Sequence, residues 1–153
     1  MKKISASLLI LLPLVSGCSS TVALEPAEYA NDVACAEVIV RLGDEISGQP
    51  RRNTNAQSTA AWGDPTSILL RCGLEPVNVS ELPCVTAGDV DWLVDDSNRP
   101  NYRFVTFGRT PATEVIVDSD VVSGVSALEE LAPLVEYLPA SASCTTSVEG
   151  EGN

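Results

Sequence analysis

The chain has 153 residues, with nine Lys and Arg against 21 Asp and Glu, no His, and a formal net charge of −12. Without His, the Ser-His and Cys-His nucleophile arrangements and the common zinc and copper sites are unavailable. The acidic balance disfavours a nucleic-acid partner, because phosphates would meet like charge.

The first element is an export signal. Met1-Lys2-Lys3 supplies a positive start, and Ile4 to Val15 is an apolar run of 12 residues interrupted by Ser5, Ser7 and Pro13. A hydrocarbon core needs about 20 helical residues, so this run predicts a signal peptide over residues 1–17 and not a lasting transmembrane helix. Leu14-Val15-Ser16-Gly17-Cys18 has the form of a lipobox. Small residues at 16 and 17 pass a peptidase site, and the Cys18 thiol then becomes a diacylglyceryl thioether at the mature N-terminus, where palmitate is a typical acyl group. Each buried methylene contributes about 0.8 kcal/mol, and two acyl chains hold durably where one does not. The expectation is a lipoprotein on the extracytoplasmic face of the cell membrane. Both Lys lie in the signal, so the mature chain sets seven Arg against 21 acids, a formal charge of −14. Such a chain gains nothing from anionic headgroups, which leaves the lipid on Cys18 as its contact with the membrane.

Residues 18–29 read as a lipidated tether of little periodicity, and residues 30–144 as a single globular domain. The 11 residues Ser19 to Tyr29, fully extended, would span at most about 35–40 Å. Asn31 and Asp32 then make the N-cap region of a helix whose apolar face is Cys35, Val38, Ile39 and Leu42, with Gly43 as its stop. Ser47-Gly48-Gln49-Pro50 is turn chemistry. Arg51 to Thr54 is a weak strand, Asn55 to Ala61 a polar stretch, and Ser67 to Cys72 a buried strand. Cys84 to Ala87 and Val90 to Asp95 flank Gly88-Asp89, a hairpin signal. Tyr102 to Phe107 and Thr113 to Asp118 alternate as strands. Ser126-x-x-Glu129 has the form of a capping box for a second helix with Leu128, Leu131, Val135 and Leu138 on its apolar stripe; Pro133 should kink it and Pro139 end it. Residues 145–153 read as a disordered tail. The predicted fold is therefore α+β: an N-terminal helix, a central, mainly antiparallel sheet of four to five strands, and a C-terminal helix.

Cys35, Cys72, Cys84 and Cys144 make an even set in an exported chain, which predicts two disulfides. Of three pairings, Cys72–Cys84 is favoured because the two flank a short Gly/Pro-containing loop, leaving Cys35–Cys144. No Cys-x-x-Cys pair points to redox or zinc chemistry.

Chemistry-bearing clusters are few, and the sequence assigns no catalytic residue, metal ligand or cofactor. Asp89, Asp91, Asp95 and Asp96 surround one hairpin, but a calcium loop starting at Asp89 would need Gly where Val94 stands. A solvated acidic face is the simpler reading, for these and for Asp118 and Asp120. Two short blocks look more deliberate: Trp62-Gly63-Asp64-Pro65 leading into Leu70-Arg71-Cys72-Gly73, and Phe107-Gly108-Arg109-Thr110-Pro111. Arg71 and Arg109 are candidates to grip an anionic ligand, with Trp62 and Trp92 walling an apolar cleft. Internal acids such as Asp64 or Glu114 are the structural alternative for the arginines, and core packing for the tryptophans.

Taken in order, the lipobox, the Cys35 helix, Gly48-Gln49-Pro50-Arg51-Arg52, Ala61-Trp62-Gly63-Asp64-Pro65, Leu70-Arg71-Cys72-Gly73, Pro83-Cys84-Val85, Asp91-Trp92 and Phe107-Gly108-Arg109-Thr110-Pro111 resemble the actinobacterial exported lipoproteins grouped as domain-of-unknown-function family 3515. The resemblance spans Asp32 to Val117 and implies an envelope lipoprotein; it transfers no catalytic residue. The reading it joins is a non-catalytic interaction or binding module with an envelope protein partner. Alternatives are a small anionic-ligand-binding lipoprotein and a carboxylate-dependent cell-wall hydrolase.

Overall fold

The structure, a computed structural model, describes residues 20–145. The signal peptide, the lipobox with Cys18, and the tail from residue 146 onward lie outside the described residues. The order is α1 (Val33–Arg41), β1 (Glu45–Ile46), β2 (Gln49–Arg52), β3 (Thr59–Trp62), β4 (Ile68–Leu74), β5 (Cys84–Ala87), β6 (Val90–Asn98), β7 (Asn101–Thr106), β8 (Ala112–Asp118) and α2 (Gly124–Val135). The strands form one eight-stranded sheet in the order β1-β2-β3-β4-β8-β7-β6-β5, with antiparallel neighbours throughout. This corrects the expected four to five strands. The missed strands are β1, two residues long, and β3, hidden at the end of the stretch read as polar; β2, which is Gln-Pro-Arg-Arg, overlaps the weak strand expected over Arg51 to Thr54. None shows an apolar alternation: β1 is too short, β2 is polar, and β3 is buried at every position.

The local signals explain most elements. The Asp32 carboxylate accepts from the Ala34 N–H at 2.8 Å and caps α1, satisfying a donor that the first turn leaves unpaired. Gly88 and Asp89 both have positive φ, 57° and 62°, as the tight β5–β6 hairpin turn requires. The second helix starts earlier than the capping box suggests: its N-cap is Ser123, not Ser126, and the helix continues through Pro133 to Val135.

Strand alternation sorts the sheet into two faces. Ile68, Leu70, Cys72, Trp92, Val115 and Val117 point into a core shared with Cys35 and Val38 of α1 and with Leu128, Leu131 and Val135 of α2. Both helices thus cover one face. Glu130 of α2 ties down the β1–β2 turn by accepting from the Ser47 N–H and hydroxyl at 3.0 Å. Leu69, Arg71, Arg103, Glu114 and Ile116 occupy the opposite positions on the other face.

The disulfides form with pairings other than those favoured from sequence. Cys35 joins Cys72, α1 to β4, and Cys84 joins Cys144, β5 to the C-terminal segment, with Cα separations of 5.5 and 6.0 Å. The reason is topological. β4 and β5 are consecutive in sequence but stand four strand spacings apart in the sheet, about 19 Å, far beyond the Cα separation a disulfide spans. Cys72 and Cys84 also point to opposite faces, since Cys72 is in the helix-side core and Cys84 alternates with Val85, the register partner of the core residue Trp92.

Candidate functional site

The face of the sheet without helices is crossed by both ends of the described chain. At the N-terminal end, the segment from Ser20 to Ala30 is not a loose tether. Arg52 donates to the Ser20 carbonyl at 2.8 Å and its hydroxyl at 3.0 Å. The Val22 N–H reaches the Asn53 carbonyl at 2.8 Å, and the Leu24 N–H reaches Asn55 Oδ1 at 2.7 Å. Farther on, the Tyr29 N–H meets the Gly73 carbonyl at 2.8 Å and the Ser58 hydroxyl meets the Ala30 carbonyl at 2.6 Å. We call this segment the strap.

At the other end, the Ser141 N–H reaches the Gly108 carbonyl at 2.8 Å. The Cys144 N–H reaches an Asp91 carboxylate oxygen at 2.8 Å, beside the Cys84–Cys144 disulfide.

Each segment is seated against a glycine. A Cβ on Gly73, whose φ is 106°, would lie 2.5 Å from the Ala30 nitrogen; a Cβ on Gly108, φ 69°, would lie 2.2 Å from the Ala142 carbonyl oxygen. Any side chain at either position would displace the chain above it. The sequence blocks that stood out thus have a local purpose: Leu70-Arg71-Cys72-Gly73 seats the strap, and Phe107-Gly108-Arg109-Thr110-Pro111 seats the C-terminal segment. In the third block, Gly63 and Asp64 accept from Arg52 at 2.8 and 3.1 Å while Arg52 also holds Ser20.

Between the two covered margins lies a charged cluster. Glu114 is 5% exposed. One of its oxygens accepts from Arg71 Nε at 3.0 Å and NH2 at 2.8 Å; the other accepts from Arg103 Nε. Two arginines on one buried carboxylate leave guanidinium N–H groups that make no hydrogen bond among the described residues. Asp95 stands in register beside Arg103, without an ion pair to it among the described residues. Leu24 of the strap, Leu69, Leu70, Arg71, Glu114 and Ile116 line a shallow cavity of about 180 Å³ here.

The four residues singled out as ligand candidates separate into different environments. Arg71 lines this cavity and pairs with Glu114, as the structural alternative had it. Arg109 donates to the Glu136 and Leu138 carbonyls, closing the exposed C-terminal end of α2. Trp62 and Trp92 are fully buried, and their indole N–H groups reach the Gly43 and Ala87 carbonyls at 3.3 and 3.4 Å. Neither indole lines a cleft with the arginines. Arg103 was missed; its register opposite Ile116, on the same face as Glu114, is the signal that would have found it.

The acids of the β5–β6–β7 region are engaged individually. Asp91 accepts from the Thr86 hydroxyl at 2.6 Å as well as from Cys144, Asp95 from the Ser97 N–H at 3.0 Å, and Asp96 pairs with Arg99. Asp89 sits in the hairpin turn. Among the described residues no three His, Cys, Asp or Glu side chains gather in a metal-binding arrangement.

A family model described as "Protein of unknown function (DUF3515)" matches residues 16–143, and the chain belongs to that family. Neither the curated proteins nor the solved structures returned a match.

Proposed function

We propose that this member of the DUF3515 family is an exported lipoprotein, held through Cys18 on the extracytoplasmic face of the cell membrane, where it acts as a non-catalytic binding module for an envelope protein. The observation that carries the reading is the join between sequence and structure: only Ser19 stands between the lipobox cysteine and the docked residue Ser20. A strap fastened at its first described residue suits a domain that works beside its anchor. The mature charge of −14 supports attachment by acyl chains rather than by headgroup attraction. The engagement of Asp91, Asp95 and Asp96 in local bonds supports a binding role over carboxylate catalysis.

Cross-linking in intact membranes tests the reading. The tagged lipidated chain should yield an envelope-protein adduct that a Cys18→Ala control, released from the membrane, does not. Equal yields from both forms would overturn it.

The Arg71–Glu114–Arg103 cluster favours a second reading, recognition of a small anion in the adjoining cavity. In a thermal-shift screen of carboxylates and phosphates, a genuine hit would lose its stabilising effect on Arg103→Ala. A hit unaffected by that change would place the anion elsewhere.

A further inference from the structure

The geometry points to a fixed membrane-facing end of this domain: we infer that the turns joining β3 to β4, β6 to β7 and β8 to α2 form the surface that lies against the bilayer. The inference rests on lipidation of Cys18 and goes beyond it by saying how the domain stands.

The three turns lie side by side. The Asp118 N–H donates to the Ser67 carbonyl at 2.9 Å, joining the β8 end to the β3–β4 turn; the Ser119 N–H donates to the Pro100 carbonyl at 3.0 Å, joining it to the β6–β7 turn. The strap enters at this end. Arg52 grips Ser20 with one guanidinium nitrogen and Gly63 and Asp64 of the β3–β4 turn with another. From there the strap runs past Asn53 and Asn55 to Gly73 and Ser58 at the opposite end of the strands.

Chain length then sets the distance. Two residue steps separate Cys18 from Ser20, so their Cα atoms lie at most about 7 Å apart. That is short against a domain of this size, whose radius of gyration is about 13–14 Å. A loose tether of 11 residues would have let any face meet the membrane, whereas the docked strap keeps the Ser20 end nearest. This end also exposes Val121 and Val125, which are 56% and 60% accessible, alongside the acids Asp64, Asp118 and Asp120. The acids oppose an anionic surface within the screening length of about 10 Å, and the covalent leash, which is shorter, holds this end there against that repulsion. The occupant of this surface is therefore the lipid interface itself, with the Arg71–Glu114–Arg103 face directed sideways along the membrane.

Photo-cross-linking to lipid tests the pose. The full chain, processed in cells and purified with its lipid, is placed in vesicles of phosphatidylcholine or of phosphatidylglycerol, with a benzophenone amino acid at Ser119 or Val121, or at Gln57 or Glu75 at the opposite end. The expected result is several-fold more lipid adduct from Ser119 and Val121 than from Gln57 and Glu75 in both vesicle types. A flexible insertion of about 12 Gly and Ser residues between Ser19 and Ser20, spanning about 19 Å on average, should erase the difference while leaving the fold intact. Equal labelling of both ends in acylated, uninserted protein would overturn the pose alone. A mass spectrum without acyl groups on Cys18 would overturn the anchor, and the pose with it.

Discussion

Gly73 shows how much one residue controls. Its φ of 106° and the strap backbone 2.5 Å from where a Cβ would stand leave no room for alanine. Gly73→Ala should cost about 1–3 kcal/mol by overpacking, read as a lower urea midpoint, and should raise amide exchange at Val22 and Tyr29. An unchanged exchange pattern would mean that the strap is seated by its hydrogen bonds alone. Glu114 is the electrostatic counterpart. Removing a buried carboxylate that neutralises two partly exposed arginines should cost about 1–2 kcal/mol in Glu114→Ala, and Arg71→Ala less, since Arg103 remains. Asp95 offers a pH signature. Hydrogen bonds from Ser97 first, helped by nearby Arg103, hold its carboxyl below its ordinary value of 3.8. Its contribution to stability is therefore complete above the unfolded-state value of about 3.9 and is lost as pH falls through the lower folded value. An NMR titration should place the Asp95 midpoint below that of a free aspartate, and Ser97→Ala should move it upward.

Among the elements, the disulfides separate what sequence shows from what only topology shows. Non-reducing peptide mapping should find Cys35 joined to Cys72 and Cys84 to Cys144, and any Cys72–Cys84 peptide would contradict the sheet order. With partners 37 and 60 positions apart in sequence, the loop-entropy relation gives roughly 4 kcal/mol for each bridge. The helix α1, its Asp32 cap and the Gly88-Asp89 hairpin were legible because their determinants are local: a 3.6-residue period, a capping carboxylate, a turn needing positive φ. The Cys35 face was legible for the same reason, but its partner was not. Which cysteine it meets depends on β4 being a central strand, and that follows from the long crossover between β4 and β5. The strand β3 was hidden, and β2 legible only as the weak stretch Arg51 to Thr54, because a uniformly buried strand and a polar one both lack alternation. Glu114 was legible as one candidate acid for Arg71 or Arg109, but its pairing with Arg71 needed β4 to lie beside β8. Arg103 could be added only once β7 was known to lie on the other side of β8. The blocks around Gly73 and Gly108 looked like ligand motifs because close backbone approach leaves the same small-residue trace whether the visitor is a ligand or the chain itself.

At the scale of the molecule, one theme joins these observations. Both ends of the described chain are fastened across the helix-free face of the sheet, one by hydrogen bonds and Gly73, the other by a disulfide and Gly108. On the proposed processing before Cys18 the chain carries a charge of −14, so raising salt should not release it from membranes, as it would a protein held by basic patches. Detergent should release it; release by salt alone would point to a different attachment. On the proposed anchoring at Cys18, the strap would turn an address in the sequence into a mechanical constraint, because it shortens the leash from about 35–40 Å to about 7 Å. All of this depends on what happens at Cys18, so the most direct measurement is the mass of the mature N-terminal peptide from membrane-extracted protein. Lipid anchoring predicts a chain beginning at Cys18 and carrying a thioether-linked diacylglycerol. A chain beginning elsewhere, or an unmodified Cys18, would contradict it.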